Sequence, residues 1–361
     1  MSIEQREGSH SAVHSVHKKR RKKKQMSVGK MVVLDLIAII VGLNVFALFH
    51  HVLFYYGILP GEDSTPVVLT TLPPLATPAP TAALPDPAGN GTEGDEPTPV
   101  SEPARVYSGM WGEKFADKFT DGEIIRTENS YQSAHVNISF ERIEADGIIY
   151  HVADIYLSDL HYLTSAFGRG GFNAGIEDME SIAQNAGAIL ALSGDHYFGN
   201  SGVVVRNGVS YRESRFQDVC VLLSDGTMVT MTNAELDLDN LREAAPYQVW
   251  SFGPELLDDE GHAMTRFNSV VLKRNPRSAI GYYEPGHYCF VEVDGRIPSS
   301  RGMTMEQLSQ LFEDLGCVSA YNLDGGQSAG IVWQGQQISY RYNRNIADMI
   351  CIVDDAPESE G

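Results

Sequence analysis

Four short segments of this chain carry residue types suited to handling an anion and a sugar. The first is Ala320-Tyr321-Asn322-Leu323-Asp324-Gly325-Gly326-Gln327-Ser328, an apolar run that ends in an acid, two glycines and a hydroxyl. A strand ending there projects Asp324, while Gly325 and Gly326 free the backbone to bend and to offer N–H groups to an anion or sugar oxygen. A plain Asp-Gly-Gly turn gives the same letters, so spacing alone leaves both readings open.

The second segment, Lys273-Arg274-Asn275-Pro276-Arg277-Ser278-Ala279-Ile280-Gly281, sets cations at the mouth of a strand. Pro276 keeps the residue before it extended, which gives Arg277 a fixed starting direction. A guanidinium so placed can fork onto a phosphate through two parallel hydrogen bonds; Arg274 reads as a solvated surface cation. The third, Val291-Glu292-Val293-Asp294-Gly295-Arg296, delivers Asp294 and Arg296 to a turn. The fourth, Ala191-Leu192-Ser193-Gly194-Asp195-His196-Tyr197-Phe198, runs from a strand into a polar loop. A lone histidine in such a loop is more often structural than catalytic, and Asp195 beside His196 shifts that balance toward chemistry.

These segments need a scaffold of short strands. Strands are expected over Ile148–Ile155, Ala188–Leu192, Val203–Arg206, Val219–Leu223, Ala279–Tyr283, Tyr288–Val293, Val318–Leu323 and Met349–Val353, several of them β-branched runs bounded by turn residues. Asn207-Gly208 between two valine-containing runs is a hairpin signal, and Ser224-Asp225-Gly226 and Glu284-Pro285-Gly286 are turns. Helices are expected over Glu177–Asn185, stopped by Gly187, and over Thr304–Leu315, which opens on Thr304-Met305-Glu306-Gln307 and closes at Gly316. The stripe Leu308, Leu311, Phe312, Leu315 is core. The fold class that follows is α+β, a mixed β-sheet domain over residues 105–355 with a few flanking helices and a tail at 356–361.

The N-terminal third has a different character. Residues 1–30 hold nine Lys/Arg against two Glu, which leaves about −27 of the net −20 on the remainder. So acidic a globular part does not suit nucleic acid. The basic tail precedes Met31–Leu59, 29 mostly apolar residues without Lys, Arg or Glu. Roughly 20 residues cross a bilayer, so the segment reads as a transmembrane helix, and the basic flank keeps the N-terminus cytoplasmic and sends the rest outside. A cleaved signal peptide is the alternative, disfavoured by the length of the segment and by the bulky Tyr55-Tyr56-Gly57-Ile58-Leu59-Pro60 at its end. Residues 60–104 contain 11 of the 17 prolines and read as a disordered linker. Its reach is on the order of 140 Å at most if extended as polyproline.

Four cysteines, Cys220, Cys289, Cys317 and Cys351, stand in apolar contexts without metal-ligand spacing and read as buried thiols, with Cys289–Cys351 the pairing that neighbouring strands would allow. No cofactor is called for. Strand-end aspartates and carbonyls suit Ca²⁺, although no EF-hand spacing is present.

In their order, Asn275 to Gly281, Asp294 to Arg296, Gly302 to Thr304 with its helix, and Asn322 to Ser328 resemble the phosphodiester glycosidase family, over roughly Glu177 to Val353. Arg344 and Asn345 suit the family's ending. The sequence departs from the family pattern at Ser193 for asparagine, Ser278 for threonine and Gln327 for the third glycine. The resemblance implies hydrolysis of a sugar-1-phosphodiester in a glycan, exopolysaccharide or teichoic-acid-like polymer. It implies Arg277, Asp324 and Asp294 as the catalytic set, with Arg277 on the phosphate and the two aspartates orienting sugar hydroxyls or a water or acting as nucleophile or base. It also implies Asn322, Gly325, Gly326, Ser328 and Arg296 in contact with substrate, with Ser193, Asp195 and His196 at the rim. A cell-wall glycan phosphotransferase and a non-catalytic glycan-binding module are the other two readings, the latter favoured by the change at Ser193.

Overall fold

The computed structural model describes residues 109–354. The basic tail, the apolar segment 31–59, the linker 60–104 and the tail 356–361 lie outside the described residues, and among those described no helix is long and apolar enough to cross a membrane.

The domain is dominated by sheet, as an α+β reading requires. Seven strands form one sheet in the spatial order Ile125–Arg126, Ser130–Gln132, Val136–Ala145, Ile148–Leu157, His287–Val293, Arg277–Glu284, Ser319–Asn322. A five-stranded sheet runs Met228–Met231, Val219–Leu222, Gln248–Ser251, Val204–Arg206, Val209–Arg212. The other runs Gln336–Gln337, Ile331–Trp333, Ala188–Ser193, Asp348–Val353, Leu163–Phe167. Every pairing in these sheets is antiparallel. Three α-helices, Met179–Asn185, Leu238–Glu243 and Met305–Asp314, flank them among the described residues.

The period of two along a strand sorts the large sheet into two faces. Ile280, Phe290 and Tyr321 point into a core shared with Leu190 and Ile350 of one small sheet and Leu222 and Trp250 of the other. Ala279, Val291 and Val293 point the opposite way, under Met305, Leu308 and Phe312 of the helix. Burying such a Leu or Phe side chain contributes roughly 1.5–3 kcal/mol, so the helix stripe holds that face of the sheet.

Local signals act as their chemistry dictates. Thr304 Oγ1 accepts from Gln307 N at 3.1 Å and the Gln307 side chain accepts from Thr304 N at 3.2 Å, closing the capping box. Asn207 and Gly208 take φ of 54° and 76°, the left-handed pair of a tight hairpin between Val204–Arg206 and Val209–Arg212. One expectation needs correcting: Cys289 lies in the seven-stranded sheet and Cys351 in a five-stranded one, and all four cysteines are free and buried. The neighbour of Cys289 is Cys317, Sγ to Sγ 3.6 Å.

Candidate active site

Three chain segments meet at Gly194. Its N–H donates to the Asp348 carbonyl at 3.0 Å, and its own carbonyl accepts from Asp324 N at 3.1 Å. The end of Ala188–Ser193, the start of Asp348–Val353 and the turn after Ser319–Asn322 are thereby drawn to one point. A Cβ on residue 194 would stand 2.4 Å from Asp348 Oδ1, so only glycine lets that carboxyl lie across the strand end. Ser193, Gly194, His196, Asp324, Ser328 and Asp348 line the small pocket that results, with Ile346 and Ala347 as its apolar wall.

Asp195 turns inward and His196 outward. Asp195 is fully buried, and its two oxygens accept from Tyr197 N at 3.1 Å and Ser251 N at 2.6 Å. That clamp sets the next residue in the left-handed region, with φ of 59° at His196, and brings its Nδ1 to 3.5 Å from Asp324 Oδ2. Burial raises the Asp324 carboxyl above its ordinary range, against the His196 imidazole, a hydrogen bond from Ser328 and the Arg344 cation, while Asp195 pushes it further up.

Beneath the pocket lies a buried charge cluster. Arg206 Nη2 donates to Asp195 Oδ1 at 2.8 Å and to Asp348 Oδ2 at 2.9 Å, and Arg206 Nε reaches the same Asp348 oxygen at 3.2 Å. Arg206 also donates to the carbonyls of Val205 and Val249. One guanidinium cannot neutralise two carboxylates in a site shut off from water. Burial, offset by Arg206 and reinforced by Asp195, pushes Asp348 up to about 7.

Comparison with known proteins identifies this architecture. Residues 180–353 match the model of the phosphodiester glycosidase family. That stretch, just under half of the chain, carries the likeness to the family. An SPbeta prophage-derived uncharacterized protein, YomE, of Bacillus subtilis is 30% identical over 185 residues, 48% of this chain and 28% of that protein. Human N-acetylglucosamine-1-phosphodiester alpha-N-acetylglucosaminidase is 27% identical over 206 residues, 48% of this chain and 39% of the enzyme. The chain thus spans less than two fifths of the length of these curated relatives. The catalytic domain of the zebrafish enzyme, auto-inhibited by its pro-peptide, superimposes with a TM-score of 0.50 at 23% identity, covering 61% of this chain and 83% of that one. The shared fold is what that likeness carries.

Within this domain, the sequence-derived residues fall into two groups. Asp324, Ser328, Ser193 and His196 share the pocket, with Asp195 directly behind. Ser193 Oγ and Ser278 Oγ, two of the positions departing from the family pattern, face each other at 2.7 Å. Gln327, the third, is exposed.

The second group is not part of the pocket's lining. Arg277 points to the helix face of the sheet, opposite to Ser278, and is only 2% exposed. Its Nη2 donates to the carbonyls of Val271 and Lys273, both at 2.8 Å, and its Nε to that of Met303 at 3.2 Å. These bonds corset the chain around residues 271–303, whereas the sequence reading put this guanidinium on the phosphate. Arg296 takes the exposed position instead, its Nη1 3.5 Å from where a Gly326 Cβ would stand, braced by Asn275 Oδ1 on its Nε at 3.0 Å. Arg274, read as solvated, donates to the Gly302 carbonyl at 3.0 Å.

Asp294 is 5% exposed, and its Oδ1 accepts from Tyr340 N at 2.7 Å; burial raises its carboxyl. Asn322 donates to the Gly253 carbonyl at 2.8 Å from within the sheet. The Gly326 N–H, expected to face an anion, donates to the Pro276 carbonyl at 3.0 Å, and a Cβ on Gly325 would lie 2.6 Å from that same oxygen. The two glycines thus allow close approach of the turns carrying Asp324 and Arg277. Among the described residues, no group of three or more His, Cys, Asp or Glu is placed to hold a metal ion.

Arg206 and Asp348 belong to the candidate site, and motif reading passes over both. Each borders a run of apolar residues, Val203-Val204-Val205 before Arg206 and Met349-Ile350-Cys351 after Asp348. A charged residue at the end of such a strand is the available signal, since an unpaired charge there would be costly to bury.

Proposed function

We propose that this chain hydrolyses a sugar-1-phosphodiester linkage, held to a membrane by residues 31–59 with its domain outside the cell. The observation that carries the reaction is the 3.5 Å pair of His196 Nδ1 and Asp324 Oδ2, with the exposed Arg344 acting on Asp324 and the exposed Arg296 beside Gly326 of the same turn. A phosphate monoester is a good leaving group, so departure needs charge stabilisation more than a strong acid. Arg296 and Arg344 take the phosphate charge, and Asp324 faces the anomeric carbon, as nucleophile or as base to a water. His196 steadies the Asp324 carboxylate as positive charge develops on the sugar ring. The bond broken joins the anomeric carbon to the phosphate oxygen; water supplies hydroxyl to the sugar, and its second proton leaves to solvent. The basic run before residue 31 and the proline-rich residues 60–104 support the tethered arrangement.

The test is to incubate the full chain, in detergent or membranes, with a nitrophenyl sugar-1-phosphodiester and with a teichoic-acid-like polymer. Release of free reducing sugar together with a phosphomonoester is expected. Turnover that appears only when a polymer acceptor is added would make the chain a phosphotransferase, and binding without product would make it a glycan-binding module. Protease shaving of intact cells should remove the domain if it lies outside.

A further inference from the structure

The two thiols at Cys289 and Cys317 sit 3.6 Å apart, Sγ to Sγ, although they are 28 positions apart in the chain. Cys289 lies on the strand His287–Val293, paired across from Gly281. Cys317 follows the helix Met305–Asp314, where Gly316 turns the chain with φ of 80° and Cys317 N donates to the Phe312 carbonyl at 3.1 Å. Both sulfurs occupy the space over Gly281, where a Cβ would stand 2.7 Å from Cys289 Sγ and 2.8 Å from Cys317 Sγ. The missing side chain at 281 thus makes the chamber in which the two sulfurs meet. A disulfide bond is about 2.05 Å long, so closure needs roughly 1.5 Å of approach, and Cys317 is in the loop between helix and strand.

We propose that Cys289 and Cys317 are a disulfide pair, closed while the domain folds in an oxidising compartment. That setting rests on the extracellular placement proposed above, whereas the choice of partners rests on the geometry alone. Cys289 is fully buried and Cys317 only 3% exposed, so the oxidant must act before packing is complete. The oxidant is another disulfide, of a small thiol or a folding catalyst. One cysteine thiolate attacks it to give a mixed disulfide and release one thiol, and the second cysteine displaces the other. The chain loses two protons and two electrons, and the donor disulfide becomes two thiols.

The experiment has two arms. In the first, full chain is unfolded in reductant, refolded with reduced and oxidised glutathione, alkylated, digested without reduction and mapped by mass spectrometry. A single cross-linked peptide pair, Cys289 with Cys317, is expected, with Cys220 and Cys351 alkylated. Reducing it should lower Tm by about 5–10 °C, an effect that Cys289→Ala and Cys317→Ala abolish and Cys220→Ala leaves in place. Four alkylated cysteines, or any other pairing, would overturn the assignment. In the second arm, cells are quenched with acid, the chain is alkylated under denaturing conditions so that buried thiols react, and the products are mapped in the same way. A pair that forms in vitro and is reduced in cells would overturn the oxidising setting and leave the partner assignment standing.

Discussion

The imidazole of His196 and the carboxyl of Asp324 belong to segments 128 positions apart, yet His196 Nδ1 lies 3.5 Å from Asp324 Oδ2. The contact exists because Asp195, one residue earlier, is clamped by two backbone N–H groups and Arg206, which fixes the direction in which His196 leaves the chain.

If that direction matters, His196 can be displaced without touching its own codon. A Cβ at Gly199 would stand 2.0 Å from His196 Nε2. Gly199→Ala should therefore lower kcat about 10-fold or more by moving the ring, with KM little changed, and His196→Gln should give a similar loss. Steady-state kinetics on a sugar-1-phosphodiester check both. Full activity in Gly199→Ala would mean that the ring's position is immaterial.

The two arginines that sequence places near the phosphate should separate cleanly. Arg296→Ala should raise KM for a phosphodiester about 10-fold or more while Tm stays within a few degrees, because the side chain is exposed. Arg277→Ala removes a buried donor from the carbonyls of Val271, Lys273 and Met303, of which Lys273 and Met303 keep Asn275 as a partner, and opens a void under the helix. About 3 kcal/mol of stability should be lost, seen as a lower denaturation midpoint in urea. The reverse assignment of effects would return Arg277 to the phosphate.

Much of this was legible in the residues and some was not. Alternating β-branched runs ended by Asp-Gly or Asn-Gly announce strands and turns, so Asp324 and the Asn207–Gly208 hairpin could be placed from sequence. The ten-residue strand Val136–Ala145 is not announced by an apolar run: Val136, Ile138 and Phe140 are buried while Ser139 and Glu141 face outward or sideways. Its signal is the period of two, which a search for continuous apolar letters passes over. Side-chain direction was the other gap. Arg277 and Ser278 are adjacent, and a strand sends neighbours to opposite faces, so the guanidinium goes to the helix side and the hydroxyl to the pocket side. Which face holds the pocket depends on how three sheets pack, and no local pattern reports that.

The buried cluster predicts a pH dependence. Asp348 in the folded chain is raised from 3.8 to about 7, chiefly by burial. A raised carboxyl binds its proton more tightly when folded, so its contribution to stability is fully present below about 3.8 and is lost as pH rises through about 7. Urea denaturation midpoints should fall across that interval, and Asp348→Asn should flatten the fall. A wild-type midpoint that rises with pH, unaltered by Asp348→Asn, would contradict the assignment. Arg206→Met, which leaves Asp195 and Asp348 without their shared cation, should cost about 3–5 kcal/mol.

The proposed hydrolysis depends most directly on the carboxyl of Asp324. The decisive measurement is kcat/KM of Asp324→Asn against wild type on a nitrophenyl sugar-1-phosphodiester, with Tm recorded for both. A loss of about 1,000-fold or more with Tm preserved is the predicted result. Wild-type turnover in Asp324→Asn would contradict it and move the chemistry to another carboxylate.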